Sequence, residues 1–552
     1  MFFNSNCFEI YKNIIKIDSY YSNFITHKCR IEIQVYKSVT QQKLIVAMKL
    51  STKNITTYYY GKVTPAPYSY TQGLPTASLV RIRDQGMSLT SADRWVTSVY
   101  FYDQKGHLIQ TQSLNPFNAL SYSSSMAGTS GNWDVLTTEY SFTGQKLQDI
   151  LFYNDSSTST KPTTLINNYY QYDNNNNGRL TNVYQSLDGG GGVVIAAYTY
   201  NSLGQVTQKS LGGVEIQNYD YSIRGQLTGS NRDYTVNGAC SAQATTATFG
   251  EILDYDYGFT SPRYDGSISG MLWRGAGSAA RERAYGYNYD PASRLTGADF
   301  REYCTGSGAV PCSDPTGIFS WNKTLTDYTA SIQQYDLNGN LLTMNQRGTY
   351  TSGPVNMDQL SYYYLPGTTV LNSVTDTAVT TGDNLGDFQD VYAWCGNAPC
   401  PDYAYDYDGN LISDINKGVT AIVYNEMDEP LSVTYSNGST IANEYTAAGT
   451  LIRKIVTPAS GGGAAYNYHY GGPFVYRNDS LLYTLYQEGR ARYTVPATGA
   501  PSSGLFTYDY FVKDHLGNVR TVVTGNVTNA DSETTAYPAS MSYIATHELA
   551  YA

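Results

Sequence analysis

Side chains able to do chemistry are present in this chain, but few stand at the spacing that chemistry needs. The most suggestive pair is Asp514-His515, a carboxylate beside an imidazole and so the two partners of a general acid–base device. Neighbouring residues in an extended chain point to opposite faces, which separates the pair. The other histidines, His27, His107, His469 and His547, are scattered. There is no Gly-x-Ser-x-Gly elbow, no phosphate loop and no His-Glu-x-x-His, so the hydrolase and metalloprotease constellations are missing.

Three further motifs match in letters only. Gly275-Ala276-Gly277-Ser278-Ala279-Ala280 spells a dinucleotide fingerprint, yet no strand–turn–helix context surrounds it, and it reads as a loop. Asp406, Asp408 and Gly409 echo a calcium loop whose first and twelfth positions would be Ala404 and Ile415; two key carboxylates are therefore absent and a repeat turn explains the rest. Cys304 and Cys312 sit in one Gly/Pro/Ser-rich loop, and Cys395 and Cys400 in Cys-Gly-Asn-Ala-Pro-Cys. Such close pairs read as local disulfides in an exported protein. Free thiols and a metal site are the alternatives, the latter with no nearby His to fill the ligand set. Cys7, Cys29 and Cys240 are unassigned.

What would position any of these residues is a repeated element. Tyrosine accounts for 55 of 552 residues, against 16 Phe and 5 Trp, and it recurs in one slot: Tyr-x-Tyr-Asp, a short polar stretch, Gly, then an aliphatic residue. Tyr100-Phe101-Tyr102-Asp103 leads to Gly106 and Leu108, Tyr198-Thr199-Tyr200-Asn201 to Gly204 and Val206, and Tyr219-Asp220-Tyr221 to Gly225 and Leu227. Tyr335-Asp336 leads to Gly339 and Leu341, Tyr405-Asp406-Tyr407-Asp408 to Gly409 and Leu411, and Tyr445 to Gly449 and Leu451. Two rings two residues apart share one face of a strand. An Asp at the first turn position accepts a backbone N–H two residues on, and the Gly takes the positive φ of a hairpin reversal. Each unit thus predicts a β-hairpin. Intervals of about 20 residues hold two strands and two turns but not a strand–helix–strand crossover. Linked hairpins make a long antiparallel ribbon, marginal alone, which must coil on itself. The excess of Tyr over Phe predicts a wall with one wet side, because each buried hydroxyl needs a partner.

These units resemble the YD repeats of RHS-repeat proteins. Tyr198-Thr-Tyr-Asn-Ser-Leu-Gly204 and Tyr287-Asn-Tyr-Asp290-Pro-Ala-Ser-Arg294 carry the likeness, and Asp514-His515-Leu516-Gly517-Asn518-Val519-Arg520 resembles the DHLGNVR-type element of the RHS-associated core, which implies a structural core position: Asp514 starts a turn that Gly517 completes, and Arg520 pairs with a carboxylate. The resemblance covers roughly residues 95 to 525. It implies an all-β fold, a long antiparallel ribbon of hairpins coiled into a hollow spiral shell, incomplete if the chain is a fragment. In the toxin members of that family the shell encloses a C-terminal effector, released by an aspartate-dependent self-cleavage at a DPxGL-type site. No such site follows Arg520, and Asp314-Pro315-Thr316-Gly317-Ile318 lies mid-chain and reads as a turn.

Composition agrees with a scaffold. The formal charge of −11 disfavours nucleic acid as a partner, and no apolar run approaches the roughly 20 residues of a membrane helix. Residues 1–60 stand apart: they hold no Gly or Pro, and eight basic against three acidic side chains. They are expected to be either a small docking domain or a sign that the natural start lies upstream. The expected organisation is an atypical segment 1–60, a lead-in 61–150, the repeat shell 151–525 and a polar, poorly ordered tail 526–552. The reading is a non-enzymatic secreted or cell-surface shell without cofactor or metal. Its expected partner is a C-terminal effector or a downstream segment. A surface adhesin that stacks glycans on its tyrosines is the alternative.

Overall fold

The computed structural model describes residues 31–37, 44–50, 73–83, 95–115, 133–154, 163–173, 178–276, 281–304, 320–350, 353–378, 387–391, 394–395, 398–495 and 505–529. Among these, strand is followed by strand almost without exception. The sequence reason is a repeating alternation ended by a turn. In Leu505–Lys513, Phe506, Tyr508, Tyr510 and Val512 are each fully buried at a period of two, the pattern of a strand with one face on a core.

Most of the described strands pair antiparallel with their neighbours in sequence; an exception is Leu295–Cys304, which pairs with both Ser320–Asn322 and Ala330–Tyr335. Trp95–Tyr102 pairs with Leu108–Leu114, which pairs with Trp133–Tyr140, which pairs with Lys146–Asn154. Hydrogen bonds join the strands into one 34-stranded sheet, with a separate two-stranded piece, Trp394–Cys395 against Ala398–Pro399. The ribbon runs on across residue 150, where Lys146–Asn154 pairs with Thr163–Tyr172. At its early end, Leu44–Leu50 pairs with both Ile31–Lys37 and Ala77–Arg83. At its late end lies the strand Val519–Asn529, which takes in the first residues of the polar tail expected over 526–552; residues 530–552 lie outside the described residues.

The ribbon coils. Ala77–Arg83, already paired with Trp95–Tyr102, also pairs at its end with Thr440–Thr446, through Ile82↔Thr446 and Arg83↔Tyr445. A strand from near the start thus lies beside one from far along the chain. The result is a spiral β-shell that, among the described residues, does not close.

Where two stretches of wall meet face to face, the enclosed layer is dry. Tyr153, Ile166, Val183, Leu187, Ile195 and Leu211 pack against Phe474, Tyr476, Leu481, Phe506, Tyr508 and Tyr510. The Tyr153 and Phe474 rings lie 4.2 Å apart between centroids. This departs from the expectation of a wet-sided tyrosine wall, because Tyr153, Tyr169, Tyr476, Tyr508 and Tyr510 are among the most deeply buried side chains. The physical reason is contact between walls: a ring that would face water on a lone ribbon here faces another ribbon. Tyr510 Oη donates to the Val194 carbonyl at 3.3 Å across the junction.

Among the described residues, one short α-helix, Arg232–Asn237, interrupts the strands. Arg274 donates to the carbonyls of Thr235 (2.7 Å) and Val236 (3.0 Å), supplying partners that a helix C-terminus lacks.

Candidate functional site

The repeat turn is built the same way at each copy. At Asp103 the backbone N–H donates to the His107 carbonyl, and the Gly106 N–H donates back to the Asp103 carbonyl. The Asp103 carboxylate accepts the N–H groups of Lys105 and His107, each at 2.8 Å, and Gly106 takes φ +84°. This is a three-residue hairpin loop whose last residue forms a bulge, and it fixes register because the strand shifts by one residue just before it. The same bonds recur at Asn201 with Gly204, Asp336 with Gly339 and Asp514 with Gly517. Gly204, Gly225, Gly339, Gly409, Gly449 and Gly517 all have φ between 83° and 88°. The turn begun by Asp290 has Ser293 in the glycine slot, at φ 60°. In the turn closed by Gly409 the accepting carboxylate is Asp406 and not Asp408; Asp408 sits at the tip and donates its N–H to Asp406. The slot is set by distance from the glycine, which Asp406 satisfies.

A second regularity explains why the slot before the turn holds Tyr and not Phe. That tyrosine sends its hydroxyl to a backbone carbonyl at the start of the previous hairpin's return strand. Tyr200 donates to Leu180 (2.7 Å), Tyr221 to Val206 (2.9 Å), Tyr335 to Leu295 (2.6 Å), Tyr364 to Leu341 (2.9 Å) and Tyr424 to Leu411 (2.7 Å). The accepting residue is the one whose register slips at the bulge, so its carbonyl is left over by the ladder. Long side chains just after the turns add further stitches: Arg179 Nη1 to the Asn201 carbonyl (3.0 Å) and Arg294 Nη1 to that of Asp336 (3.3 Å). Tyr335→Phe should therefore cost about 1 kcal/mol and raise amide exchange at 295–297 and 335. Unchanged exchange there would refute the stitch.

The most elaborate constellation lies at Asp514–Arg520. Asp514 is buried; its Oδ1 accepts the N–H groups of Leu516 and Asn518, and its Oδ2 accepts Asn518 Nδ2 (3.1 Å) and Arg520 Nε (2.7 Å). Burial pushes the Asp514 carboxyl up, but these hydrogen bonds and the Arg520 charge outweigh it and hold the pKa below the usual range. His515 points elsewhere. Its N–H donates to Glu251 Oε1 at 2.7 Å, and its Nδ1 lies 2.9 Å from Glu251 Oε2. Glu251 is 1% exposed, on the strand Gly250–Asp254. The hydrogen bond to Glu251 raises the His515 pKa against the opposing effect of burial. Asp514 and His515 are thus not a catalytic couple, and among the described residues no hydroxyl or thiol is hydrogen-bonded to His515.

Close by, Glu488 accepts Lys209 Nζ (3.0 Å) and Tyr198 Oη (3.3 Å), tying the turn before Gly489–Thr494 to an early wall. Asp509, also buried, accepts Arg490 Nε (2.9 Å), Arg492 Nε (2.7 Å) and Thr524 Oγ1 (2.8 Å). Burial raises its pKa, yet the bonds from Arg492, Arg490 and Thr524 win and lower it.

Two carboxyls behave oppositely. Burial lifts Glu215 and Glu282 to about 7. Their folded forms hold a proton that the unfolded chain has lost, so the stability they carry is present below the ordinary carboxyl range and falls as pH rises to about 7, by up to about 3 kcal/mol each. Asp509 and Asp514, with lowered values, act the other way, losing stability as pH falls through them. The melting temperature should therefore peak near pH 5 and decline toward pH 7.5. A maximum at or above pH 7.5 would contradict the assignment.

The remaining sequence candidates separate. Cys395 and Cys400 form a disulfide with Cα atoms 4.9 Å apart. Cys304 ends the strand Leu295–Cys304, whereas Cys312 and the Asp314–Ile318 stretch lie outside the described residues. Cys240, unassigned from sequence, is disulfide-bonded. Gly275 follows the strand Gly270–Arg274, and the next element is the strand Arg283–Tyr289; no helix of a nucleotide fold is found between them among the described residues. Asp406 spends its carboxylate on its own turn and on Asn410. Sequence reasoning did not find Asp358, Asp376 and Asp387, whose carboxylate oxygens lie within 4.8 Å of one another. Asp358 and Asp376 accept the backbone N–H groups of Phe388 and Gln359, each at 2.8 Å, as loop-fixing acidic side chains do. Nor did it find Glu251, which carries no local motif.

No family model and no curated protein matches the chain. Solved structures do. The crystal structure of TcdB2-TccC3 superposes with a TM-score of 0.51 at 14% identity, over 90% of this chain and 23% of that one. The Photorhabdus luminescens Tc holotoxin pore carrying a TccC3 mutation gives 0.50 at 14%, over 90% and 22%. The chain spans about a quarter of the length of these structures. At such identity the likeness is one of fold alone: the hairpin ribbon described above shares its architecture with part of those structures.

Proposed function

We propose that this chain is a non-enzymatic wall segment of an RHS/YD-repeat shell, a secreted, toxin-associated scaffold that helps enclose another polypeptide. The observation that carries the reading is the use made of its polar side chains. The turn carboxylates, the repeat tyrosines and the Asp514–Arg520 element spend their hydrogen bonds on neighbouring backbone, which builds a wall and leaves no reacting group at a free position among them. The strand Val519–Asn529 pairs with Leu505–Lys513 on one side and with nothing on the other among the described residues. An open edge of this kind accepts a further strand, which suits a downstream or separately supplied segment.

The test is to image the purified full chain by negative-stain electron microscopy and to screen it on a glycan array. Open, curved walls with no sugar retained are the expected result. Compact particles that hold a glycan, and lose it on Trp273→Ala, would replace the reading with the adhesin alternative; Trp273 stacks on Tyr285 at 5.2 Å and stands for the aromatic surface such binding requires.

A further inference from the structure

The contact between His515 and Glu251 joins residues 264 positions apart. It is also the point at which the tip of the last described hairpin touches the middle of the wall. Both hydrogen-bonding groups of His515 that face the wall, its backbone N–H and Nδ1, land on one carboxylate. The imidazole keeps 15% of its side-chain surface exposed while Glu251 keeps 1%, so the proton on this histidine can exchange with solvent although its partner cannot rehydrate. We infer that the 505–525 hairpin is a pH-sensitive latch, held to the Gly250–Asp254 strand by the His515 imidazolium on Glu251 and loosened when that proton leaves.

The surroundings set the direction. Facing His515 are Glu251 on the wall, Asp514 in its own turn and Arg520 on the return strand. Asp514 is already matched by Arg520 at 2.7 Å, which leaves Glu251 to His515. Tyr219, Tyr255 and Tyr287 also feel the Glu251 charge, and burial raises all three, so they stay neutral near the histidine's range. Glu488 acts on Tyr219 but is held by Lys209. Among the groups that face this contact, the histidine is thus the one whose charge changes between mildly acid and mildly alkaline solution. Its folded pKa is raised, so the latch contributes fully below the ordinary histidine value and is lost as pH rises through the folded one. In neutral form the Nδ1–H still reaches Glu251, so the latch weakens and does not vanish.

Two measurements on the full chain test this. Histidine C2-hydrogen exchange read by mass spectrometry gives the pKa of His515 within its own peptide, apart from His469 and its Asp479 neighbour; a value above 6.5 is expected, and one at or below it overturns the latch. Amide exchange, corrected for its intrinsic pH dependence, should show protection of 505–525 and 250–254 falling roughly tenfold from pH 6 to pH 9. His515→Gln and Glu251→Gln keep a hydrogen-bonding group at each position and should flatten that dependence to under about twofold. If a variant shows the parental tenfold change, the charge is not what holds the hairpin. Should either variant fail to fold, the pKa of His515 in the parent still decides.

Discussion

Phe474→Ala should be among the most damaging single changes in the wall, at about 3–5 kcal/mol. Phe474 is fully buried and lies between Tyr153, 4.2 Å away, and Tyr476, 6.5 Å away. Removing the ring leaves a cavity between two rigid sheets that cannot collapse without breaking their ladders, so the upper part of that range applies. A multi-strand shell does not unfold in one step. The loss should therefore be read locally: limited proteolysis and amide exchange at 146–154 and 474–486 should rise together, because the two walls share this layer. A rise confined to 474–486 would mean that the walls do not depend on each other there.

Gly489→Ala is the second large effect, and its cause is steric. A Cβ at Gly489 would lie 1.9 Å from the backbone carbonyl oxygen of Asp509 and 2.9 Å from Tyr486 Oη. Backbone cannot step aside as a flexible side chain does, so Gly489–Thr494 must part from Leu505–Lys513 where Gly489 faces the fully buried Tyr510. Loss of protection across 489–494 and 505–513 is expected. Gly339→Ala serves as the control. That glycine has φ +88° with nothing within 4 Å of its would-be Cβ, so only the backbone preference opposes substitution, at about 1 kcal/mol. Equal effects at the two sites would remove the distinction between close approach and turn conformation.

The hairpins were legible in the sequence because everything that specifies them is local. Asp103, Gly106 and Leu108 lie within one turn, and the hydrogen bonds that join them span four residues or fewer. The repeat slot also announced that Tyr mattered. It could not say that the hydroxyl of Tyr335 serves Leu295, since the acceptor belongs to another hairpin and any residue type supplies a carbonyl. Asp406 and Asp408 both fit the turn slot by letter, and only the distance to Gly409 separates them. Glu251 was beyond reach, being one of many acidic residues until the coil of the ribbon sets it beside His515. The dry layer was misjudged because the number of tyrosines describes one ribbon, and burial depends on where a second ribbon passes.

The stitches between hairpins have a direction in time. Each tyrosine before a turn reaches back to a hairpin made earlier: Tyr200 to Leu180, Tyr221 to Val206, Tyr424 to Leu411. During synthesis every new unit therefore emerges beside a finished edge that already offers its waiting carbonyl, and can be added as a course of bricks is laid on the last. Sequence separations along this route stay short, which favours rapid assembly. Only the joints that close the coil, such as Arg83 with Tyr445 and His515 with Glu251, must wait for chain made much later. A ribosome halted midway would thus hold a ribbon whose hairpins are already stitched to one another, while its buried layer still waits for Phe474 and the strands that follow.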